Sequence, residues 1–305
     1  MKAAYFMQNG APEVMQYGEL PDPVAGSGQV LIEIHAASVN AADWKTRVGY
    51  RQPTTTFPFI PGRDFSGVIK ALGPDVNDLA VGDEVFGVTE QTGARSYAEL
   101  IAINAAIVSK KPKAISHIEA AAVGLIGLTA TIAIENTLQL KSGETILIQG
   151  GAGGVASFAV QLSKHIGAHV ISTTSAINKD YVLSLGADEV IDYNQQDFTT
   201  VVSNCDAAFD TVGGNVAIRT LKVLRPGGRA AFIDGAAPKS ERSDIQALKP
   251  NVERKRVHLD HIAKLITSGA VRVPEIKTYS LTEAAAAHRV SEGRHFRGKL
   301  VFKIR

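Results

Sequence analysis

The chain has 305 residues, 45% of them apolar, a formal charge of +2 at neutral pH and a single cysteine. That length suits two domains rather than one core, and the balanced charge speaks against nucleic acid or a membrane surface as the main partner. Cys205 alone excludes an internal disulfide and any multi-cysteine zinc site, and it fits a reducing compartment. The opening MKAAYFMQNGAPEVM lacks the apolar centre of a signal peptide. No uncharged apolar run reaches the roughly 18 residues of a membrane helix. A cytoplasmic protein with no membrane partner is expected.

The first third reads as short strands and turns. Lys2 to Met7, Gln29 to Ala37, Gly67 to Leu72 and Glu84 to Val88 are β-type runs, and Tyr97 to Val108 continues the style. Pro-Asp-Pro, Gly-Ser-Gly, Gly-Pro-Asp and Val-Gly-Asp separate them, which predicts a barrel-like β domain. The pattern changes near Ser116. Ile118 to Asn136 is rich in Ala, Leu and Ile at helical spacing. Strand and helix patterns then alternate: ETILIQG, a helix from Gly154 to Ile166, HVISTT, a helix from Lys179 to Leu185, EVIDY, AAFDTV, a helix from Val216 to Leu224, and RAAFIDG. Such alternation means βαβ units and a parallel sheet, so the chain is α/β. The tail carries a helix, Leu281 to Ser291, and a last strand, Lys299 to Ile304.

Between the strand ILIQG and the helix after it lies Gly151-Ala152-Gly153-Gly154-Val155-Ala156. Glycines there allow a tight turn, let backbone N–H groups approach a pyrophosphate and let the helix pack on the sheet. The run fits G-x-G-x-x-G/A in strand–turn–helix context, and a plain tight turn is the alternative. The following strand ends in Thr174 and Ser175, with Asn178 and Lys179 beyond, and no Asp or Glu stands about 20 residues on to take a ribose 2′-hydroxyl. Hydroxyls and a lysine would hold a 2′-phosphate that a carboxylate would repel. Tyr193, ending EVIDY, adds a phenolic donor if that strand lies alongside. NADPH is therefore favoured over NADH, although Lys179 alone reads equally well as an exposed helix residue.

Across most of its length the sequence resembles the zinc-independent quinone oxidoreductase branch of the medium-chain dehydrogenase/reductase superfamily. SVNAADWKTRVG, FPFIPGRDFSGVIKALGPDV, VGDEVFG, GLTATIAI, GGAGGVASFAVQLSKHIGAHVI, LGADEVIDY, FDTVGG, LRPGGR and FRGKLVF carry the likeness in the family's order. The resemblance implies a GroES-like β-barrel catalytic domain at 1–117, a Rossmann doubly wound NADP-binding domain at 118–260, and a return segment at 261–305 completing the catalytic domain. It also implies an active site in the cleft between the domains and NADPH-dependent reduction of a small quinone or enone. Zinc-dependent members use Cys, His and Glu ligands. Here Asn40-Ala41-Ala42-Asp43 replaces the cysteine-bearing segment and Gly62-Arg63-Asp64 stands for Gly-His-Glu, so no metal is expected. Without one, hydrogen-bond donors or water must polarise the substrate oxygen. That suffices for an enolate or hydroquinone anion better than for a bare alkoxide.

Four residues are catalytic candidates. The resemblance puts Asn40 where its amide holds the nicotinamide carboxamide or the substrate oxygen; a turn-making Asn is the alternative. Lys45 is a cationic donor or an exposed lysine, Arg63 follows the same logic, and Tyr50 lies at the cleft mouth or on the surface. Asp43 braces the loop. Thr129 is implied at the nicotinamide end, or else bonds back to its own helix. Thr211 and Val212 end one strand, Phe232, Ile233 and Gly235 the next, where ligands collect at the carboxyl edge of a parallel sheet. Arg297 and Lys299 close the site from the tail. The stretch from Gly235 to the helix HIAKLI is short, polar and poor in strand signal, which weakens the family's homodimer as an expectation. The competing functional readings are a specialised enoyl reductase and a non-catalytic NADPH-binding sensor.

Overall fold

The computed structural model describes residues 1–50, 56–90, 95–294 and 296–305. It begins with strands β1 (Lys2–Phe6), β2 (Met15–Glu19) and β3 (Gln29–Val39), helix α1 (Ala41–Arg47), then β4 (Asp64–Leu72), β5 (Glu84–Val88), β6 (Leu100–Asn104) and β7 (Val108–Lys110). Helix α2 (His117–Thr131) runs into a π-helical turn, Ile132–Thr137. Next come β8 (Thr145–Gln149), α3 (Gly154–Ile166), β9 (His169–Thr174), α4 (Lys179–Ser184), β10 (Glu189–Asp192) and α5 (Phe198–Val201). β11 (Cys205–Asp210), α6 (Gly214–Thr220), β12 (Leu224–Phe232) and β13 (Gln246–Leu248) follow. The chain closes with α7 (Arg256–Thr267), β14 (Ile276–Tyr279), α8 (Ala284–Gly293) and β15 (Lys299–Lys303).

These elements form two compact units. The first comprises Met1–Leu125, Arg254–Thr267 and Glu275–Arg305; the second comprises Ile126–Glu253 and Ser268–Pro274. The boundaries differ from breaks at 117/118 and 260/261 because hydrogen bonds cross those points. The Leu125 N–H donates to Asp64 at 2.5 Å, Arg256 Nε donates to the Val108 carbonyl at 2.6 Å, and Ser109 Oγ donates to Asp260 at 2.5 Å. In the other direction, Gln161 exchanges two hydrogen bonds with the backbone of Arg272, which ties Ser268–Pro274 to the second unit.

The first unit is built on a sheet ordered β14-β15-β3-β4-β5-β7, with β6 paired to β3 and a separate β1-β2 hairpin. All its pairings are antiparallel except β14 with β15. β3 alternates buried and half-buried residues until its end, where Ala37, Ser38 and Val39 are all buried. Ile32, Ile34, Phe65, Ile69, Tyr97 and Phe302 form its core. Removing such side chains from water is the main stabilising term.

The second unit is a parallel sheet ordered β10-β9-β8-β11-β12-β13. Its central strands are near-continuous apolar runs, as strands buried on both faces require. α3 packs on β8 and β9, α4 on β9 and β10, and α6 on β11 and β12. α3 stops at Gly167, whose φ of 94° gives the left-handed C-terminal turn that glycine adopts without a Cβ penalty. The sheet order reverses between β8 and β11, the switch point at which doubly wound sheets take up ligands. The strand-poor segment after Gly235 holds one reduced element: β13, of three residues, at the sheet edge. Helix α2 with its π-turn is long and apolar enough to cross a membrane, and most of it is buried in the protein.

Candidate functional site

The turn from β8 to α3 is shaped by what its glycines lack. A Cβ on Gly151 would overlap Ser172 Oγ and come within 2.9 Å of Val182 Cγ1. Gly153 is the N-cap of α3, with no side-chain cap bond and no acidic residue in the first turn, so the helix start keeps N–H groups and a partial positive charge for an anion. Buried side chains brace the turn from below. Gln149 Nε2 donates to Thr220 Oγ1 at 3.1 Å, and Gln149 Oε1 accepts from Thr173 Oγ1 at 2.6 Å. Thr173 Oγ1 in turn accepts the Gly150 N–H at 3.2 Å. Across the switch point, Thr211 Oγ1 donates to the Gln149 carbonyl at 2.8 Å, and Asp210 accepts the N–H groups of Val212 and Gly213, both at 2.7 Å. Burial raises the Asp210 carboxyl above the usual range, against the pull of those N–H groups.

β10 pairs in parallel with β9, Asp192 opposite Thr174, so Tyr193 follows directly beside Ser175. The Tyr193 N–H donates to the Thr174 carbonyl at 3.2 Å, and Asn178 Nδ2 donates to Ser175 Oγ at 3.2 Å. Ser175, Asn178, Lys179 and Tyr193 are thereby gathered at one strand end. Asp192, also there, accepts the Asn194 N–H at 3.0 Å. Thr174, the last residue of β9, is buried.

The first unit holds a buried polar network around Asn40. Asp64 Oδ2 accepts from Ser38 Oγ at 2.5 Å and from Asn40 Nδ2 at 2.7 Å, while Oδ1 accepts the Leu125 N–H. Lys299 Nζ donates to the Val39 carbonyl at 2.9 Å and to Asn40 Oδ1 at 2.8 Å, and lies 3.8 Å from Asp64 Oδ2. Asn40 caps α1 in a reciprocal capping box with Asp43, whose Oδ2 accepts the Asn40 N–H at 2.8 Å and the Tyr97 hydroxyl at 2.9 Å. Arg63 Nε stands 3.9 Å from Asp43 Oδ1. Burial pushes the Asp43 carboxyl up to about 6, against Arg63, the Asn40 N–H and Tyr97. Ser38, Asp43, Asp64, Tyr97 and Lys299 are all buried, and Asn40 is half-buried.

Residues 26–113 match the alcohol dehydrogenase GroES-like domain family, and residues 185–302 match the zinc-binding dehydrogenase family. An NADPH-dependent alkenal/one oxidoreductase, chloroplastic, from Arabidopsis thaliana is 30% identical over 99% of this chain and 79% of its own. The chain belongs to the medium-chain dehydrogenase/reductase superfamily. Among solved structures, the Coxiella burnetii quinone oxidoreductase superposes with a TM-score of 0.92 at 34% identity, covering 100% of this chain and 99% of its own. The Escherichia coli quinone oxidoreductase complexed with NADPH gives a TM-score of 0.92 at 26% identity, over 99% and 100%. The resemblance to the superfamily's quinone oxidoreductase-like branch therefore holds, as does the two-domain fold of GroES-like and Rossmann parts. The chain is an NAD(P)H-dependent oxidoreductase acting on a small molecule.

Although one matching family is named for zinc, the donors here do not fit that ion. No group of three or more His, Cys, Asp or Glu able to hold a metal occurs among the described residues. At the two stretches that replace the superfamily's zinc ligands, Asn40 and Arg63 bring an amide and a guanidinium, and the Asp64 carboxylate is engaged by Ser38 and Asn40.

The remaining expected residues fall in several places. Lys45 Nζ lies 5.6 Å from the Trp44 ring centre and 5.5 Å from that of Tyr50, and Tyr50 is exposed. Gly151 to Val155 form the turn as expected from their order. Thr129 is buried in α2, in the second unit, and Val212 is exposed beside Thr211. The Phe232 side chain lies in the second unit's core, and the carbonyls of Ile233 and Gly235 both accept from Lys249 Nζ, at 3.0 and 2.5 Å. Arg297 donates to Glu275 at 2.7 Å. Lys299, expected at the cofactor, has its ammonium committed inside the first unit. Sequence reading missed Ser38, Tyr97 and Gln149, and gave Asp64 no role; the one available signal was a carboxylate opening the apolar strand DFSGVIKAL.

Proposed function

We propose that this enzyme uses NADPH to transfer hydride to quinones, giving hydroquinones, or to the β-carbon of α,β-unsaturated carbonyls. The observation that carries the reading is the shared end of β9 and β10, where Ser175, Asn178, Lys179 and Tyr193 meet at the point where an NAD-specific site would have a carboxylate. The glycine turn and the first turn of α3 take the pyrophosphate. NADPH, when bound, supplies a hydride.

The substrate is the task of the first unit. Asn40 offers a neutral N–H donor to the substrate oxygen, and Lys45 adds a cation held over two aromatic rings. Hydrogen-bond donors of this kind stabilise a delocalised anion, as left by hydride addition to the β-carbon of an enone or to a quinone. Its likeness to quinone oxidoreductases and to an alkenal/one oxidoreductase supports that class.

Isotope placement tests this. With NADPH deuterated at the transferable position, the product of a cyclic enone should carry deuterium at the β-carbon with its carbonyl intact. Deuterium at the carbonyl carbon would overturn the reading.

A further inference from the structure

Lys299 opens β15, yet only 3% of it is exposed, and its ammonium ends among Val39, Asn40 and Asp64. A buried ammonium is expensive and persists where fixed partners compensate it. Burial lowers its pKa, while Asp64 and Asp43 oppose that fall.

The partner that Lys299 affects most is the Asn40 amide. The two ends of that amide have nearly the same shape and opposite hydrogen-bonding character. Lys299 only donates, and the Asp64 carboxylate only accepts. With Lys299 on one side at 2.8 Å and Asp64 on the other at 2.7 Å, one orientation makes two charge-assisted hydrogen bonds and the flipped one makes none. The held orientation leaves the second Nδ2 hydrogen with only the Ser38 carbonyl, 3.5 Å away, which is too long for a good bond. Asn40 is also half-buried, whereas Ser38, Asp64 and Lys299 are buried.

We propose that Lys299 is a positioning residue: opposite Asp64, it clamps the Asn40 amide in the one orientation that turns an N–H toward the substrate's carbonyl oxygen. This rests on the enone and quinone reading above, in which that oxygen gathers charge as hydride arrives. The clamp itself forms no bond to substrate.

Two double variants and one spectroscopic readout test it. Lys299→Met with Asp64→Asn removes both charges together and keeps the volume, which protects the fold where Lys299→Met alone would leave Asp64 uncompensated. Its kcat with an enone should fall about a hundredfold, the scale of losing one transition-state donor, with the NADPH Kd unchanged. Asn40→Asp with Asp64→Asn exchanges amide and carboxylate, keeps the network's charge and bonds, and leaves residue 40 without an N–H. It should melt close to the parent, bind NADPH as the parent does, and lose a similar factor in kcat. A merely structural network would recover activity along with melting temperature. In the parent, the Asn40 Nδ2 hydrogen bonded to Asp64 should exchange slowly with solvent, and that protection should be lost in the Lys299→Met, Asp64→Asn protein.

Parental turnover in either double variant overturns the clamp, and so does an Asn40 amide that stays equally protected from solvent exchange without Lys299 and Asp64. A parent inert toward every enone and quinone overturns the clamp's role together with the functional reading. Activity in the parent separates the two failures.

Discussion

The two units prepare for their ligands in opposite ways. The second unit offers backbone: Gly151 clears space by having no side chain, and the braces beneath the turn come from Gln149, Thr173 and Asp210 at the ends of neighbouring strands. The first unit offers side chains, drawn from residues as distant as Ser38, Asp64, Tyr97 and Lys299 and locked by charge. A site made of backbone tolerates changes around it and fails when an atom is added. A site made of paired buried charges fails when one is removed.

The largest expected effect follows from that contrast. Lys299→Met leaves Asp64 buried without its ammonium partner, and loss of one partner from such a pair costs about 3–5 kcal/mol. Urea unfolding should show the loss in the first unit while NADPH affinity holds. Next comes His288, buried beside the Tyr97 ring, with neither ring nitrogen hydrogen-bonded among the described residues. Burial, aided by Arg47, pushes its pKa down to about 3 from the ordinary 6.5. The unfolded chain therefore binds the proton more tightly, so this contribution is whole above pH 6.5 and drains away as pH falls toward 3. The His288→Leu protein should lack that loss, and the stability difference between the two should change by a few kcal/mol across the window.

Gly151→Ala adds the atom that the second unit cannot take. Overpacking of this size costs about 1–3 kcal/mol, and calorimetry should show NADPH binding weakened about ten- to hundredfold. Ser175→Asp places a carboxylate at the end of β9 and should lower the NADPH-to-NADH ratio of kcat/KM about tenfold, through repulsion of the 2′-phosphate. The smallest effect is at Cys205, a core residue whose thiol burial pushes up to about 12. The native protein should resist thiol reagents, and Cys205→Ala should leave turnover unchanged.

The same contrast explains what the sequence revealed. Strand, turn and helix around Gly151 lie within one continuous stretch, and helix α3 occupies the very residues its periodicity predicts. The Asn40 network joins residues separated by up to 261 positions in the numbering, from Ser38 to Lys299, and no local pattern announces that pairing. Lys299 reads as a polar tail residue until β15 is seen beside β3. Resemblance to a family supplied Asn40 and its neighbourhood; the bonds that orient it had to come from the fold.

The most direct measurement is steady-state oxidation of NADPH and NADH by the purified protein with a cyclic enone, a quinone and the matching saturated ketone. Consumption of NADPH in preference to NADH, with the enone and quinone but not with the ketone, is the expected result. Tight binding of NADPH with no oxidation by any acceptor, or equal reduction of the saturated ketone, would contradict the account.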